Sequence, residues 1–274
     1  MATSHPAGSG DVSRYAKLDD AADPAFFVDL MDQLREVPDF VALKRTMLEA
    51  LRPAPGQRVL DVGCGPGDDV REIAVRLVPG GFAAGLDRSA VMIDEARRRS
   101  ATVDLPVEFH TGDACSLPFP DNSFDACRAE RTLVHVDDPN RAVAEMVRVT
   151  RPGGRLVVFE GHSAGAEIEG EDPQLMQTMA ECFTRRLPNG WVADQLPAMC
   201  EAAGIVDLEI RSVELSMPYD CYHPMVKGLL ESAVRTGEVD GADLARFSEA
   251  ILRAEHEGRF AARGQGWLVM ATVP

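Results

Sequence analysis

The sequence predicts an α/β protein built on a Rossmann-like parallel sheet. Short apolar runs alternate with amphipathic helical segments between residues 58 and 160, and a glycine-rich turn follows the first run. The chain has 274 residues, of which 45% are apolar, so it can bury a sizeable core. Strands that alternate with helices are typical of a parallel sheet with helices on both faces.

Two helices are predicted ahead of the sheet. Apolar residues recur at helical spacing from Phe27 to Leu34 and again from Phe40 to Leu51, and Pro38 separates the two segments. The first dozen residues are small and polar and lack the charged start and apolar run of a signal peptide. Residues 1–20 are therefore expected to form a flexible tail, and residues 21–274 a single domain.

The remaining elements follow from the same patterns. Strands are predicted at residues 58–62, 82–86, 107–111, 124–129, 155–160, 208–217 and 267–273. Helices are predicted at residues 68–77, 89–99, 139–149, 173–187, 191–203, 224–236 and 241–258. The helical segments outside the strand–helix repeat predict a helical cap formed from about residues 21–50, 173–187 and 219–258.

Composition excludes several classes of partner. The 28 basic and 44 acidic residues give a net charge of −16, which repels nucleic acid and anionic membranes. The sequence contains no stretch of about 18 uncharged apolar residues, so a membrane span is not expected. The six cysteines form no Cys-x-x-Cys pair, so neither a metal site nor a disulfide framework is expected, and a reducing cytoplasm is the default location. The sequence leaves open whether the chain forms a homodimer.

The glycine-rich turn has the features of a ligand-binding loop. Gly63, Gly65 and Gly67 lie between a strand and a helix, where a backbone without side chains can pass close to a ligand. The dinucleotide-binding pattern would need glycine at position 68, which is Asp68 here. Asp61 at the strand end would repel a pyrophosphate, but it suits a ligand that carries an ammonium and a sulfonium group.

Acidic residues also follow the second and third predicted strands. Asp87 can accept hydrogen bonds from both hydroxyls of a ribose, a feature shared with dinucleotide-binding enzymes. Asp113 can accept from an adenine amino group, and the next backbone N–H, of Ala114, can reach a ring nitrogen. The three strand ends together predict an adenosine-containing ligand.

These residues resemble the class I S-adenosyl-L-methionine (SAM)-dependent methyltransferases. The resemblance covers roughly residues 40–165, includes the segments 121–125, 130–135 and 149–154, and is greatest for the ubiquinone/menaquinone branch (methyltransferase type 11). It implies a seven-stranded sheet in the order 3-2-1-4-5-7-6 with strand 7 antiparallel. It also implies SAM at the carboxyl ends of the strands, with S-adenosyl-L-homocysteine (SAH) as product.

The resemblance further implies a role for each residue of the cofactor site. The methionine part would lie against Asp61, Gly63 and Gly65, with Gly67 also in the cofactor-binding loop, and Asp87 would hold the ribose. The backbone of Ala129 would take the methionine ammonium, with Glu130 close above it. The adenine would lie against Arg88, Met92, Asp113 and Ala114.

Methyl transfer from a sulfonium is an in-line displacement that requires alignment and exclusion of water, and it needs a base only when the nucleophile carries a proton. His135, after the fourth strand, is either a general base or a residue that orders its loop. Glu160, at the end of the fifth strand, is either a catalytic group or a substrate or loop contact. Contacts to the acceptor are predicted for Arg131, His162, Tyr219, Tyr222 and His223. The other interpretation of these residues is loop or lid packing.

The sequence therefore predicts a SAM-dependent methyltransferase (EC 2.1.1.-) that acts on a small natural-product or quinone-like acceptor in secondary metabolism. The alternative is a SAM-binding enzyme of the same fold that catalyses a non-methylating cyclisation or rearrangement. A third hypothesis is a methyltransferase acting on macromolecules, or a SAM-binding regulatory module. The acidic composition argues against RNA or DNA as substrate, and the absence of an Asn/Asp-Pro-Pro-Tyr signature after the fourth strand disfavours nucleobase or glutamine amide methylation.

Overall fold

The computed structural model describes residues 10–21, 23–162, 165–167, 172–205 and 207–274. Its strands form one mixed sheet. They are β1 (Arg58–Val62), β2 (Phe82–Asp87), β3 (Val107–Thr111), β4 (Phe124–Glu130), β5 (Thr150–Gly161), the two-residue β6 (Gly165–Ala166), β7 (Leu208–Met217) and β8 (Ala262–Thr272).

The sheet has the predicted topology. Its order is β3-β2-β1-β4-β5-β8-β7, and the short β6 pairs with β8 beyond the end of β5. The first five strands are parallel to one another, whereas β8 is antiparallel to both β5 and β7. Because β7 and β8 are the sixth and seventh long strands, the predicted order 3-2-1-4-5-7-6 is confirmed.

Nine α-helices surround this sheet in the part of the chain that is described. They are α1 (Ala25–Glu36), α2 (Pro38–Leu51), α3 (Asp68–Leu77), α4 (Ala90–Ser100), α5 (Pro139–Val149), α6 (Pro173–Arg186), α7 (Val192–Ala202), α8 (Tyr219–Arg235) and α9 (Gly241–His256). Pro38 is the first residue of α2 and follows the extended Val37, which explains the predicted break between the first two helices. We find no described helix with the length and apolarity that a bilayer span requires.

The central strands are buried on both faces, as a parallel sheet requires. Along β1, Val59 contributes to one apolar layer and Leu60 to the other, because successive side chains point to opposite faces. Helices α5 and α7 cover the layer that contains Leu60. Helices α1 to α4, α6, α8 and α9 cover the layer that contains Val59. Helix α6 packs on both α8 and α9, and α1 packs on α8, so the helices predicted as a cap are in mutual contact.

Three element starts differ by five residues from the sequence-based expectation. Strand β5 begins at Thr150 rather than at residue 155. Helix α8 begins at Tyr219, five residues before the predicted start, and Pro224 lies within it. Strand β8 begins at Ala262 rather than at residue 267. The added part of β8 contains polar residues and glycines without an apolar pattern, and its pairing with β6 and β7 makes it a strand.

The N-terminal segment is the main correction. A flexible tail was expected through residue 20, but Val12–Asp20 forms a 3-10 helix that buries Val12 and Leu18. Asp19 accepts hydrogen bonds from the Ser89 hydroxyl and, at 2.8 Å, from the Ala90 N–H at the start of α4. These partners are distant in sequence, so local patterns could not reveal them. The part of the predicted tail at residues 1–9 lies outside the described residues.

Replacing Asp19 by Ala should loosen this segment. The substitution removes a carboxylate that satisfies N–H and hydroxyl donors at a helix start, and losing such a cap costs about 1 kcal/mol. We expect a corresponding decrease in the free energy of unfolding in urea and faster amide exchange across residues 12–20. The exposed neighbour Asp20 provides the control, because Asp20→Ala removes the same charge. Equal exchange in the two variants would contradict the assigned contact.

Candidate functional site

A cavity of about 250 Å³ opens where the parallel strands end. Parallel strands bring their carboxyl ends to one edge of the sheet, so residues distant in sequence meet there. The rim of the cavity includes Gly63, Gly65, Asp87, Asp113, Glu130 and Glu160. Five of the strand ends that the sequence singled out therefore face the same space.

The glycine turn after β1 could not carry ordinary side chains. Gly63 has φ of 74° and Gly65 of 51°, which is left-handed backbone. A Cβ on Gly63 would lie 2.2 Å from the Thr132 Oγ1, and one on Gly65 would lie 2.7 Å from the Met31 Cε. Gly67, which caps the start of α3, packs on Phe109 and lies outside the cavity lining. The turn thus brings bare backbone to the cavity wall at Gly63 and Gly65.

Asp87 is held at the rim by backbone donors. Its Oδ2 accepts from the Gly65 N–H and its Oδ1 from the Ser89 N–H, both at 2.9 Å. Burial raises the pKa of the Asp87 carboxyl, and these two N–H groups counteract part of that rise. The carboxylate links the glycine turn to the start of α4 and faces the cavity, a placement that suits the predicted ribose contact.

The residues predicted around an adenine are divided between the cavity and the core. Asp113 and Ala114 line the cavity, and the Asp113 Oδ1 accepts from the Cys115 N–H at 2.8 Å. Arg88 also lines it and pairs with Asp137 at 3.2 Å. Met92 is only 1% exposed and packs into the core beneath α4, outside the cavity lining.

Buried charges lie behind the methionine end of the predicted site. Lys44 of α2 places its Nζ 2.6 Å from the Asp69 Oδ2 and 2.8 Å from the Glu130 Oε2. Burial acts to raise the pKa of Glu130, but the adjacent cations, Lys44 foremost, bring it below its usual range. Helix α2 is therefore tied to α3 and to the end of β4.

Arg128 completes this group from within the sheet. Its guanidinium lies 3.1 Å from the Asp69 carboxylate, 2.7 Å from that of Glu130 and 3.7 Å from that of Asp61. Burial raises the pKa of Asp61 to about 7 despite Arg128. Asp61 and Ala129 are both buried and lie behind the cavity lining rather than in it.

Sequence reasoning missed Lys44, Asp69 and Arg128. The available signal was an arginine in the middle of a predicted strand of the sheet core, since a buried charge requires a partner.

Glu160 anchors the loop that follows β4. Its Oε1 accepts from the Thr132 N–H at 2.7 Å and from the Leu133 N–H at 2.6 Å. The side chain is fully buried, and its Oε2 has no hydrogen-bond partner among the described residues. Burial raises the pKa of Glu160 to about 7, against the effect of these N–H groups. The loop-ordering interpretation therefore has direct structural support, and one carboxylate oxygen stays unused.

His135 lies at the other end of that loop, against the N-terminal segment. Its ring stacks on Tyr15 with 5.0 Å between ring centroids, and its Nδ1 has no partner among the described residues. Burial, with a smaller contribution from Arg131, lowers the pKa of His135 to about 4. His135 is consequently neutral at pH 7 and can accept a proton, although only as a weak base.

Two of the predicted acceptor contacts line the cavity. Arg131 reaches it from the end of β4, and its guanidinium stacks on the Phe40 ring at 4.8 Å. His162 lines it from the end of β5 and lies 3.4 Å from the Asp194 carboxylate.

The aromatic group at the start of α8 does not line this cavity. Tyr219 stacks on His223 at 5.1 Å, and Tyr222 is 1% exposed. All three lie in the packing of the cap, so the expectation that they form the cavity wall is not met. Met225 of the same helix lines the cavity instead.

Comparison with known proteins agrees with this geometry. Residues 60–158, from β1 through most of β5, match the family described as a methyltransferase domain. The chain belongs to the class I SAM-dependent methyltransferases.

Two curated relatives illustrate the similarity at the sequence level. An uncharacterized 37.1 kDa protein in transposon TN4556 of Streptomyces fradiae is 40% identical over 179 residues, 65% of this chain and 51% of the relative. The demethylmenaquinone methyltransferase of Renibacterium salmoninarum is 44% identical over 117 residues, 43% of this chain and 46% of the relative. The chain thus spans about half the length of these relatives.

Solved structures share the methyltransferase fold. YcgJ from Bacillus subtilis superposes with a TM-score of 0.61 at 19% identity, over 85% of this chain and 99% of that one. The [4+2]-cyclase SpnF superposes with a TM-score of 0.54 at 27% identity, over 85% of this chain and 80% of that one. The similarity to YcgJ shows the fold alone, and SpnF is an enzyme described as a cyclase.

Glu160 should make the stability of the protein depend on pH. Its pKa rises from 4.5 to about 7 on folding. Stabilisation by the protonated form is therefore complete below the unfolded pKa and is lost as the pH rises through the folded pKa. As the pH rises from 4.5 to 8, the free energy of unfolding of the wild type should therefore fall by about 3 kcal/mol relative to that of Glu160→Gln.

Denaturant titrations at several pH values measure this difference. Glu160→Ala provides the comparison, because it also removes the acceptor of two N–H groups and should be less stable than Glu160→Gln at every pH. Parallel pH profiles of the wild type and Glu160→Gln would contradict the raised pKa.

Proposed function

We propose that this chain transfers the methyl group of SAM, in line, to a small natural-product or quinone-like acceptor. The observation that carries the proposal is the composition of the cavity. One end carries the glycine turn and Asp87, and the other is lined by apolar side chains from the cap. A polar subsite next to an apolar one fits an adenosine cofactor beside an acceptor with an apolar body.

The residues at the polar end fit SAM. The left-handed turn at Gly63 and Gly65 gives a ligand access to bare backbone, and the two Asp87 oxygens can accept from the ribose hydroxyls. Glu130, at the rim, carries the negative charge that a methionine ammonium requires. When bound, SAM supplies an electrophilic methyl group on a sulfonium.

The cap supplies the surface for the acceptor. Leu30 and Phe40 line the cavity from α1 and α2, and Phe183 lines it from α6. Leu215, Met217 and Met225 complete this wall from β7 and α8. Such a surface excludes water and holds the nucleophile in place, and positioning of this kind contributes about 7–11 kcal/mol to lowering a barrier.

Proton removal is assigned to His135. Its neutral imidazole faces the cavity, and its Nδ1 has no hydrogen-bond partner among the described residues. A conjugate-acid pKa of about 4 makes it a weak base, so we expect positioning to contribute more to the rate. Glu160 is assigned to holding the loop that presents His135, through its bonds to Thr132 and Leu133.

Asp87→Ala should weaken SAM binding. It removes a carboxylate that would accept charge-assisted hydrogen bonds, each worth about 1.5–3 kcal/mol, so affinity should fall at least about tenfold. Calorimetric titration with SAM measures the change. Asp94→Ala, on the exposed side of α4, removes the same charge and should bind SAM as the wild type does. Equal SAM affinities in the two variants would show that Asp87 does not contact SAM.

A second candidate function is a SAM-dependent cyclisation without methylation. It is supported by the 27% identity to an enzyme described as a [4+2]-cyclase. The two functions differ in stoichiometry: methyl transfer yields one SAH for each product molecule, whereas a cyclisation leaves SAM unconsumed. Chromatographic measurement of SAH and product in one reaction distinguishes them.

With an acceptor in hand, His135→Ala should slow turnover by about 10²-fold, at the low end of general-base effects, and leave SAM affinity nearly unchanged. Initial rates of SAH formation measure this effect. His135→Phe is the matched control, because it keeps a ring to stack on Tyr15 and lacks a nitrogen. A slow Ala variant with a fully active Phe variant would show that His135 acts only by packing.

A further inference from the structure

We propose that Arg131 determines acceptor specificity by binding a carboxylate on the acceptor, so that the preferred substrates are aromatic or similarly flat apolar acids. This inference rests on the proposed function, because it assigns Arg131 to the acceptor end of the same cavity. It is carried by the contacts of the guanidinium, by the charges around it and by the rings beside it.

The Arg131 guanidinium is poorly satisfied compared with that of Arg128. Arg128 lies within 4 Å of three carboxylates, with its shortest contact at 2.7 Å. Arg131 makes one long contact, 3.4 Å from its Nη2 to the Glu130 Oε1, and its buried Nε has no partner among the described residues. A guanidinium offers five N–H donors. The one described hydrogen bond of the Arg131 guanidinium uses an Nη2 donor, so the Nη1 donors are left for a ligand.

Glu130 cannot neutralise Arg131 fully, because it is already engaged. Its Oε2 lies 2.8 Å from the Lys44 Nζ and 2.7 Å from the Arg128 Nη2. The other arginine in the cavity lining, Arg88, has its own partner in Asp137 and a side chain that is 52% exposed. Arg131 is therefore the cavity cation whose charge is least compensated within the described part of the chain.

The backbone and a ring hold Arg131 in this orientation. Its φ of 53° is left-handed, which is costly for a residue with a side chain, and its N–H donates to the Phe159 carbonyl oxygen at 2.8 Å. Phe40 covers one face of the guanidinium at 4.8 Å. With that face covered, the edge with its parallel N–H donors is what a ligand can meet.

These features match a carboxylate better than other groups. A planar guanidinium binds a carboxylate through two parallel hydrogen bonds, and such charge-assisted pairs are stronger where water is excluded. The neighbouring wall contains the rings of Phe159 and Phe183, which can pack against a flat apolar body. A neutral isostere would leave the cation without its counterion.

A matched ligand pair tests the assignment. Naphthalene-2-carboxylate and naphthalene-2-carboxamide have nearly the same shape and differ in charge. Each is titrated by calorimetry into the SAH-saturated wild type, Arg131→Gln, Arg131→Lys and Arg45→Gln. Arg45 lies on the exposed face of α2, so its loss changes the net charge equally without touching the cavity. Circular dichroism and SAH affinity are recorded first for each protein.

We expect the wild type and Arg45→Gln to bind the carboxylate at least about tenfold more tightly than the amide. The ratio should fall to near one in Arg131→Gln and lie between these values in Arg131→Lys, which keeps the charge and loses the planar donors. SAH affinity should stay within about twofold in all four proteins. The Lys variant also keeps the test informative if Arg131→Gln does not fold.

Three results would overturn the proposal: equal ratios in the wild type and Arg131→Gln, failure of the wild type to bind the carboxylate at millimolar concentration, or a loss confined to SAH affinity. The last result would assign Arg131 to the carboxylate of the cofactor. Failure of the wild type to bind SAH would instead defeat the proposed function. The naphthalene pair would then be titrated into the cofactor-free protein to test Arg131 by itself.

Discussion

Three carboxylates, those of Asp61, Asp69 and Glu130, are buried at one end of the sheet, where they require cations as neighbours. Arg128 and Lys44 provide them, with contacts from 2.6 to 3.7 Å. A buried ion group of this kind contributes little net stability, because desolvation offsets much of the attraction. It fixes position instead: Lys44 can meet Asp69 and Glu130 together only if α2 lies against α3 and the end of β4.

Further contacts give the cavity its remaining walls. Glu160 ties the end of β5 to the loop after β4, so that His135 and Arg131 face the same space. Asp19 ties the N-terminal 3-10 helix to the start of α4, which brings Tyr15 over the His135 ring. The site is thus assembled from side-chain contacts between elements that are distant in the chain.

The chemistry of the cavity follows from which element supplies each wall. The glycine turn and the ends of β1 to β4 belong to the part of the chain that matches the methyltransferase family, residues 60–158. The apolar wall comes largely from α1, α2, α6, β7 and α8, which lie outside that match. A shared fold supports many reactions, and this division explains why the cofactor end resembles relatives while the acceptor must be inferred from the cap.

The sequence by itself determined the sheet, its order through the family resemblance, and the acidic residues at the strand ends. Hydrophobic period and glycine position are local signals, and Asp87 and Asp113 follow strands that those signals locate. Tertiary structure alone decided that Met92 and Tyr222 face the core, that residues 12–20 are ordered, and that Arg128 has three acidic neighbours. Each of these features depends on contacts between segments that are distant in the chain. Periodicity and spacing are local, so they do not show which face of an element a neighbouring element will cover.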